Sequence, residues 1–134
     1  MMLMRLLLLS LAVLIPNTAF AQIHITEIMY DLPGTDSDRE WIEVYNTGYE
    51  AVDLSLWKLY EEGTNHRIES HNDGSPIIPP QGFAIIADDP ETFLIDQKGF
   101  NGVLLDSSWS SLKNNGEMVA IRNPEGIETD TITY

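Results

Sequence analysis

The chain has 134 residues and a mass of 15.1 kDa, enough for one domain. It carries 21 Asp and Glu against 7 Lys and Arg, a formal charge of −14, and has no cysteine. That balance argues strongly against binding to a nucleic-acid backbone, which needs clustered cations against phosphates. It disfavours anionic membrane surfaces, and the missing thiols exclude a disulfide framework, a cysteine nucleophile and a Cys-ligated zinc site.

Residues 1–21 read as a secretory signal peptide. Arg5 supplies the positive n-region, Leu6 to Ile15 form an apolar h-region broken only by Ser10, and Pro16-Asn17 end it. Ala19-Phe20-Ala21 is the small-x-small pattern of a cleavage site, so Gln22 follows as the mature N-terminus. The competing reading is an uncleaved anchor, for which the stretch falls short of the ~20 apolar residues a spanning helix needs. Cleavage leaves a domain over 22–134 with a formal charge of −15, no remaining membrane segment, and an extracytoplasmic or cell-surface address.

The mature region reads as successive short strands. Ile23 to Met29 is β-branched, with a phase break that calls for a bulge near Thr26-Glu27. Asp31 to Asp38 is a loop with Pro33-Gly34 as its turn signal. Glu40 to Asn46 alternates, with Ile42 and Val44 on one face and Trp41, Glu43 and Tyr45 on the other. Val52 to Tyr60 changes parity at Leu56-Trp57, which calls for a bulge or bend. Asn65 to Glu69 reads as a polar edge strand, and Asn72 to Pro76 as a loop. Phe83 to Ala87 is an unbroken apolar run suited to a strand buried on both faces. Asp89-Pro90-Glu91 starts a short helix that ends near Gln97, with Gly99 as its stop. Gly102 to Asp106, Glu117 to Arg122 and Ile127 to Thr133 are further strands, the last two joined by a turn at Asn123 to Gly126. The expected architecture is all-β, a sandwich of seven to eight short strands.

These blocks resemble a known family. Glu40-Trp41-Ile42-Glu43-Val44-Tyr45-Asn46 followed by Val52-Asp53-Leu54-Ser55-Leu56-Trp57-Lys58-Leu59 is similar to the core of the lamin-tail domain, with Leu56 where the family has Gly before Trp. Pro80 to Ala87 resembles its middle strand and Ser111 to Arg122 its late hairpin. The resemblance implies an immunoglobulin-like β-sandwich. It also implies a secreted or cell-surface, non-catalytic interaction or tethering module, of the kind bacterial members place beside hydrolase domains. The partner it implies is a protein or a cell-envelope component.

Several side-chain groups offer chemistry. Asp31, Asp36, Asp38 and Glu40 are hard oxygen ligands in a turning loop, spaced for a weak extracellular Ca²⁺ site, although Trp41 stands where an EF-hand requires Gly. No other cofactor is called for. The bland alternative is a solvated acidic loop. His66, Glu69, His71 and Asp73 lack the spacing of a zinc motif and read as a polar edge. Glu27 and Glu43 could pair for glycoside hydrolysis only across a defined cleft, and no serine-hydrolase motif occurs. Trp57 belongs in the core, whereas Trp41 and Tyr45 share the outward parity and form a candidate contact strip. Two further readings stand beside the tethering module. One is a hydrolase or nuclease accessory domain that uses the acidic loop. The other is an envelope or matrix component that self-associates through edge strands.

Overall fold

The computed structural model describes residues 23–134; the leader and its Ala21–Gln22 junction lie outside the described residues. Eleven strands and one helix form among them: β1 (Ile23–Met29), β2 (Trp41–Asn46), β3 (Val52–Asp53), β4 (Lys58–Glu61), β5 (Thr64–Arg67), β6 (Glu69–Ser70), β7 (Ile77–Ile78), β8 (Phe83–Ala87), α1 (Pro90–Asp96), β9 (Val103–Asp106), β10 (Met118–Arg122) and β11 (Glu128–Thr133). Among the described residues no helix is long and apolar enough to cross a membrane.

A five-stranded sheet in the order β1-β2-β8-β9-β6 faces a four-stranded sheet in the order β11-β10-β4-β5, and β3-β7 forms a small third sheet. The fold is an immunoglobulin-like β-sandwich. The strand count exceeds the expected seven to eight because two expected strands are each divided and Ile77–Ile78 adds a short strand that pairs with Val52–Asp53. Val52 to Tyr60 is interrupted by a turn in which the Trp57 amide donates to the Leu54 carbonyl at 3.0 Å. The turn resets the phase, so Val52, Leu54, Trp57 and Leu59 all reach the core despite their mixed parity. Likewise Asn65 to Glu69 divides at Ile68, 1% exposed, as the chain crosses from one sheet to the other. Leu56 replaces the family's Gly without conflict. Its side chain is 68% exposed, and positive φ among described non-glycine residues is confined to Asp38, Glu62, Asn72 and Gln81.

The inner faces interlock as one core. Ile23, Ile25, Ile42, Val44, Ala84, Ile86 and Leu105 of the first sheet meet Leu59, Val119 and Ile121 of the second, with Trp57, Trp109 and Leu112 closing the rim. Each fully buried Ile or Leu contributes about 1.5–3 kcal/mol relative to exposure. The β1–β2 register shifts between Ile25 and Glu27, which puts Ile28 opposite Ile42. Along the other margin of β1, the Ile25 amide donates to Asp130 Oδ2 at 2.8 Å, and Thr129 Oγ1 donates to the Ile23 carbonyl at 3.2 Å. These contacts close the sandwich between β1 and β11.

The helix explains the unbroken apolar run. Asp89 caps it by accepting from the Thr92 amide at 2.8 Å, and Pro90 occupies the first turn. It bridges β8 to β9, which pair in parallel. Its Phe93 joins Trp41, Ile85 and Ala87 in a second apolar cluster on the outer face of the first sheet. So Ala84 and Ile86 face the main core while Ile85 and Ala87 face the helix. Only Phe83, at the end of β8 away from the helix, is left 51% exposed.

Candidate functional site

The outer face of the five-stranded sheet divides in two. At one end the helix roofs it, and Trp41 packs there edge-on to Phe93 at 5.9 Å between ring centroids. Trp41 is 9% exposed, which corrects its expected place on a surface strip. Parity put it outward, but outward at this end means under the helix. At the other end Tyr45 lies 4.5 Å from Phe83, ring to ring, across the β2–β8 pair. Its hydroxyl donates to Gln81 Oε1 at 2.8 Å, and Gln81 Nε2 donates to the carbonyls of Thr47 and Gly48 at 2.8 and 3.1 Å.

Buried Asn46 fixes the same corner. Its Nδ2 donates to the carbonyls of Glu50 (2.7 Å), Pro79 (3.1 Å) and Ile78 (3.3 Å), and its Oδ1 accepts from the Gly48 amide (2.9 Å). Together Asn46 and Gln81 hold the loop that carries Tyr49, which is 88% exposed. Tyr45, Phe83 and Tyr49 thus stand on a pinned base. Asn46 reads in sequence as the end of an alternating run, and nothing in its spacing announces that its side chain bonds the carbonyls of residues 78 and 79.

The acidic loop has an internal cation. Arg39 Nη1 donates to the carbonyls of Pro33 and Thr35 at 3.1 and 3.2 Å, and its Nε donates to Asp96 Oδ2 at 2.8 Å. Asp31 and Asp38 are exposed. Asp36 Oδ2 accepts from Asn114 Nδ2 at 2.8 Å. Glu40 turns away from the loop and into the protein, 2% exposed. Its Oε2 accepts from Trp109 Nε1 and from the Leu112 amide, both at 2.8 Å, and its Oε1 accepts from Ser111 Oγ at 3.2 Å. No three of Asp31, Asp36, Asp38 and Glu40 gather into a ligand set. Beside Glu40, Asp88 is pushed up to about 6 by burial and by the charges of Glu40, Asp38 and Asp89, against the opposing hydrogen bond from the Trp109 amide.

The carboxylates that do converge were hidden in the sequence. Among the described residues, Glu61, Glu62 and Glu117 each offer an oxygen within 4.8 Å of the others. Glu61 and Glu62 lie in the β4–β5 hairpin, while Glu117 precedes β10, so their meeting depends on the sheet order. His66 is spoken for within this region, since its Nε2 lies 3.0 Å from Glu61 Oε2. His71 Nε2 instead lies 3.3 Å from Glu91 and 2.8 Å from Asn72 Nδ2. The set His66, Glu69, His71 and Asp73 therefore does not assemble as a metal site.

A polar hollow of about 300 Å³ is lined by His66, Glu69, Asp106 and Ser107 among others. Burial and neighbouring Glu69 hold the Asp106 carboxyl above the usual range. Ser107 Oγ is buried with no hydrogen-bond partner, so it lacks the base within reach that an activated nucleophile requires. Glu27 and Glu43 are directly opposite in the β1–β2 register, and Glu43 Oε1 accepts from Thr26 Oγ1 at 2.8 Å. Glu43 lines a hollow of about 330 Å³ with Trp41, Ile85 and Phe93, and Glu27 is not among its lining residues, so the two do not face each other across it.

No curated protein matches the chain closely enough to be a relative. Residues 16–134, nearly all of the sequence, match the family described as the Lamin Tail Domain. With that match and the sandwich built around the Trp41–Asn46 strand, the chain belongs to the Lamin Tail Domain family.

Proposed function

We propose that this domain is a non-catalytic interaction and tethering module that acts outside the cytoplasm, on a protein or cell-envelope partner, after removal of residues 1–21. The observation that supports this reading is the aromatic corner. Half-buried Tyr45 packs ring to ring with exposed Phe83, and Tyr49 stands exposed on a loop held by Asn46 and Gln81. Rings held in place lose little freedom on contact, and Tyr is enriched among residues that dominate binding energy. The acidic surface would steer the module toward basic or neutral partners.

Two measurements test the reading. The intact mass of exported protein should begin at Gln22, and a product retaining Met1 in the membrane fraction would refute export. The purified domain should co-sediment with envelope fragments of its host, and the Tyr49→Ser, Phe83→Ser variant should lose that retention at an unchanged melting temperature. Equal retention of parent and variant would remove the aromatic corner from the binding role.

A further inference from the structure

We propose that Glu61, Glu62 and Glu117 form a binding site for a hard divalent cation, with Ca²⁺ as the best-fitting ion, at the edge of the four-stranded sheet. The three side chains each bring one oxygen to within 4.8 Å of the others. Two of the carboxylates show a division of labour. Glu61 is 3% exposed; its Oε2 is tied to His66 Nε2 at 3.0 Å, and its Oε1 is buried with no partner. On Glu117, Oε1 accepts from the Lys113 amide at 2.9 Å and from the Tyr134 hydroxyl at 3.3 Å, and Oε2 is buried with no partner. Each side chain is thus anchored through one oxygen and has the other to give. Outer hydrogen bonds orient metal ligands in this way.

An unpaired oxygen on a carboxylate as buried as Glu61 is costly unless something meets it. Here a cation would meet two such oxygens at once. Glu62, at the hairpin tip and exposed, would supply the third. Its present counter-ion is the Lys113 ammonium. Both members of that pair are close to half exposed, and such pairs are weak, so a divalent ion displaces the ammonium at little cost. All-oxygen ligation with water completing the shell suits Ca²⁺, whereas Mg²⁺ demands a stricter octahedron and releases water reluctantly. The bound ion would join the β4–β5 tip to the segment that enters β10.

The test is calcium chloride titrated into the full-length mature protein by calorimetry, with melting temperature as a second readout. One ion should bind with a Kd on the order of 10⁻⁴–10⁻³ M, the range of extracellular modules, and magnesium should bind at least about tenfold more weakly. Glu62→Gln, which alters only an exposed side chain, should weaken calcium by tenfold or more and abolish its effect on melting. Glu117→Gln should do the same. The double variant Asp36→Asn, Asp38→Asn should bind as the parent does. Absence of calcium binding at about ten times the upper end of that range, or equal weakening by Glu62→Gln and by the loop double variant, would overturn the assignment.

Discussion

Glu40 offers the most direct test of how this fold is held together. Its carboxylate is buried, and it satisfies two buried donors, Trp109 Nε1 and the Leu112 amide, together with the Ser111 hydroxyl. Replacing it with Ala orphans both N–H groups. Each orphaned buried donor costs about 1–3 kcal/mol, so the two together cost about 2–6 kcal/mol. We expect Glu40→Ala to lose stability in that range. At roughly 4–8 °C per kcal/mol for a domain near 100 residues, the melting point should fall on the order of 20 °C. Glu40→Gln is the informative companion. Its amide oxygen can take the place of Oε2, and its NH₂ can donate to Ser111 Oγ, so only the charge assistance is lost, about 1–2 kcal/mol. Urea and thermal melts followed by circular dichroism read both values. If Glu40→Ala costs less than about 1 kcal/mol, or if the two variants are equally unstable, the hydrogen-bond account of this residue is wrong.

Three further outcomes follow from the same structure. Trp57→Ala, which empties a 5%-exposed site in the main core, should cost about 3–5 kcal/mol in urea melts. Asp88, with a folded-state value of about 6 against an ordinary ~3.9 when unfolded, holds its proton more tightly in the folded protein. Its contribution to stability is therefore present below pH ~4 and lost as pH rises to about 6, so Asp88→Asn should flatten that window in a pH series of melts. The variant should gain about 1 kcal/mol at pH 7, the shift being discounted for its partial exposure. Finally, the protein should not be retained on double-stranded DNA at physiological salt. Arg39, Arg67, Lys113 and Arg122 are each paired with an acid, Asp96, Glu69, Glu62 and Glu128 respectively, and no basic face is left to them.

Local features of the fold were largely legible in sequence. The bulge at Thr26, the capped helix after Asp89 and the turn at Asn123 to Gly126 each depend on residues within a few positions of one another. What escaped depended on which elements become neighbours. Parity placed Trp41 on the outward side of β2, but only the β8–α1–β9 crossover shows that the outward side is covered there. Glu40 reads as one more acid in an acidic run, because its partners Trp109 and Leu112 lie about seventy residues away. Spacing along the chain drew attention to Asp36 and Asp38, whereas the acids that gather do so across the β4–β10 pairing. Charge density in the sequence thus indicated an acidic surface without indicating where oxygens meet.

The closure between β1 and β11 has a mechanical consequence. Ile23 meets Thr129 and Ile25 meets Asp130, so the two strands run in the same direction along that margin. The start of β1 and the end of β11 therefore lie at opposite ends of the sandwich. A load applied between them pulls along the strands. β1 would have to slide against β2 across the register from Ile23–Asn46 to Met29–Trp41, and β11 against β10 from Met118–Thr133 to Arg122–Glu128. In that geometry the ladder bonds share the force together instead of opening one after another. The unfolding rate under load is then set by losing a whole strand at once, and a domain strung between two anchors resists extension from both of its outer strands.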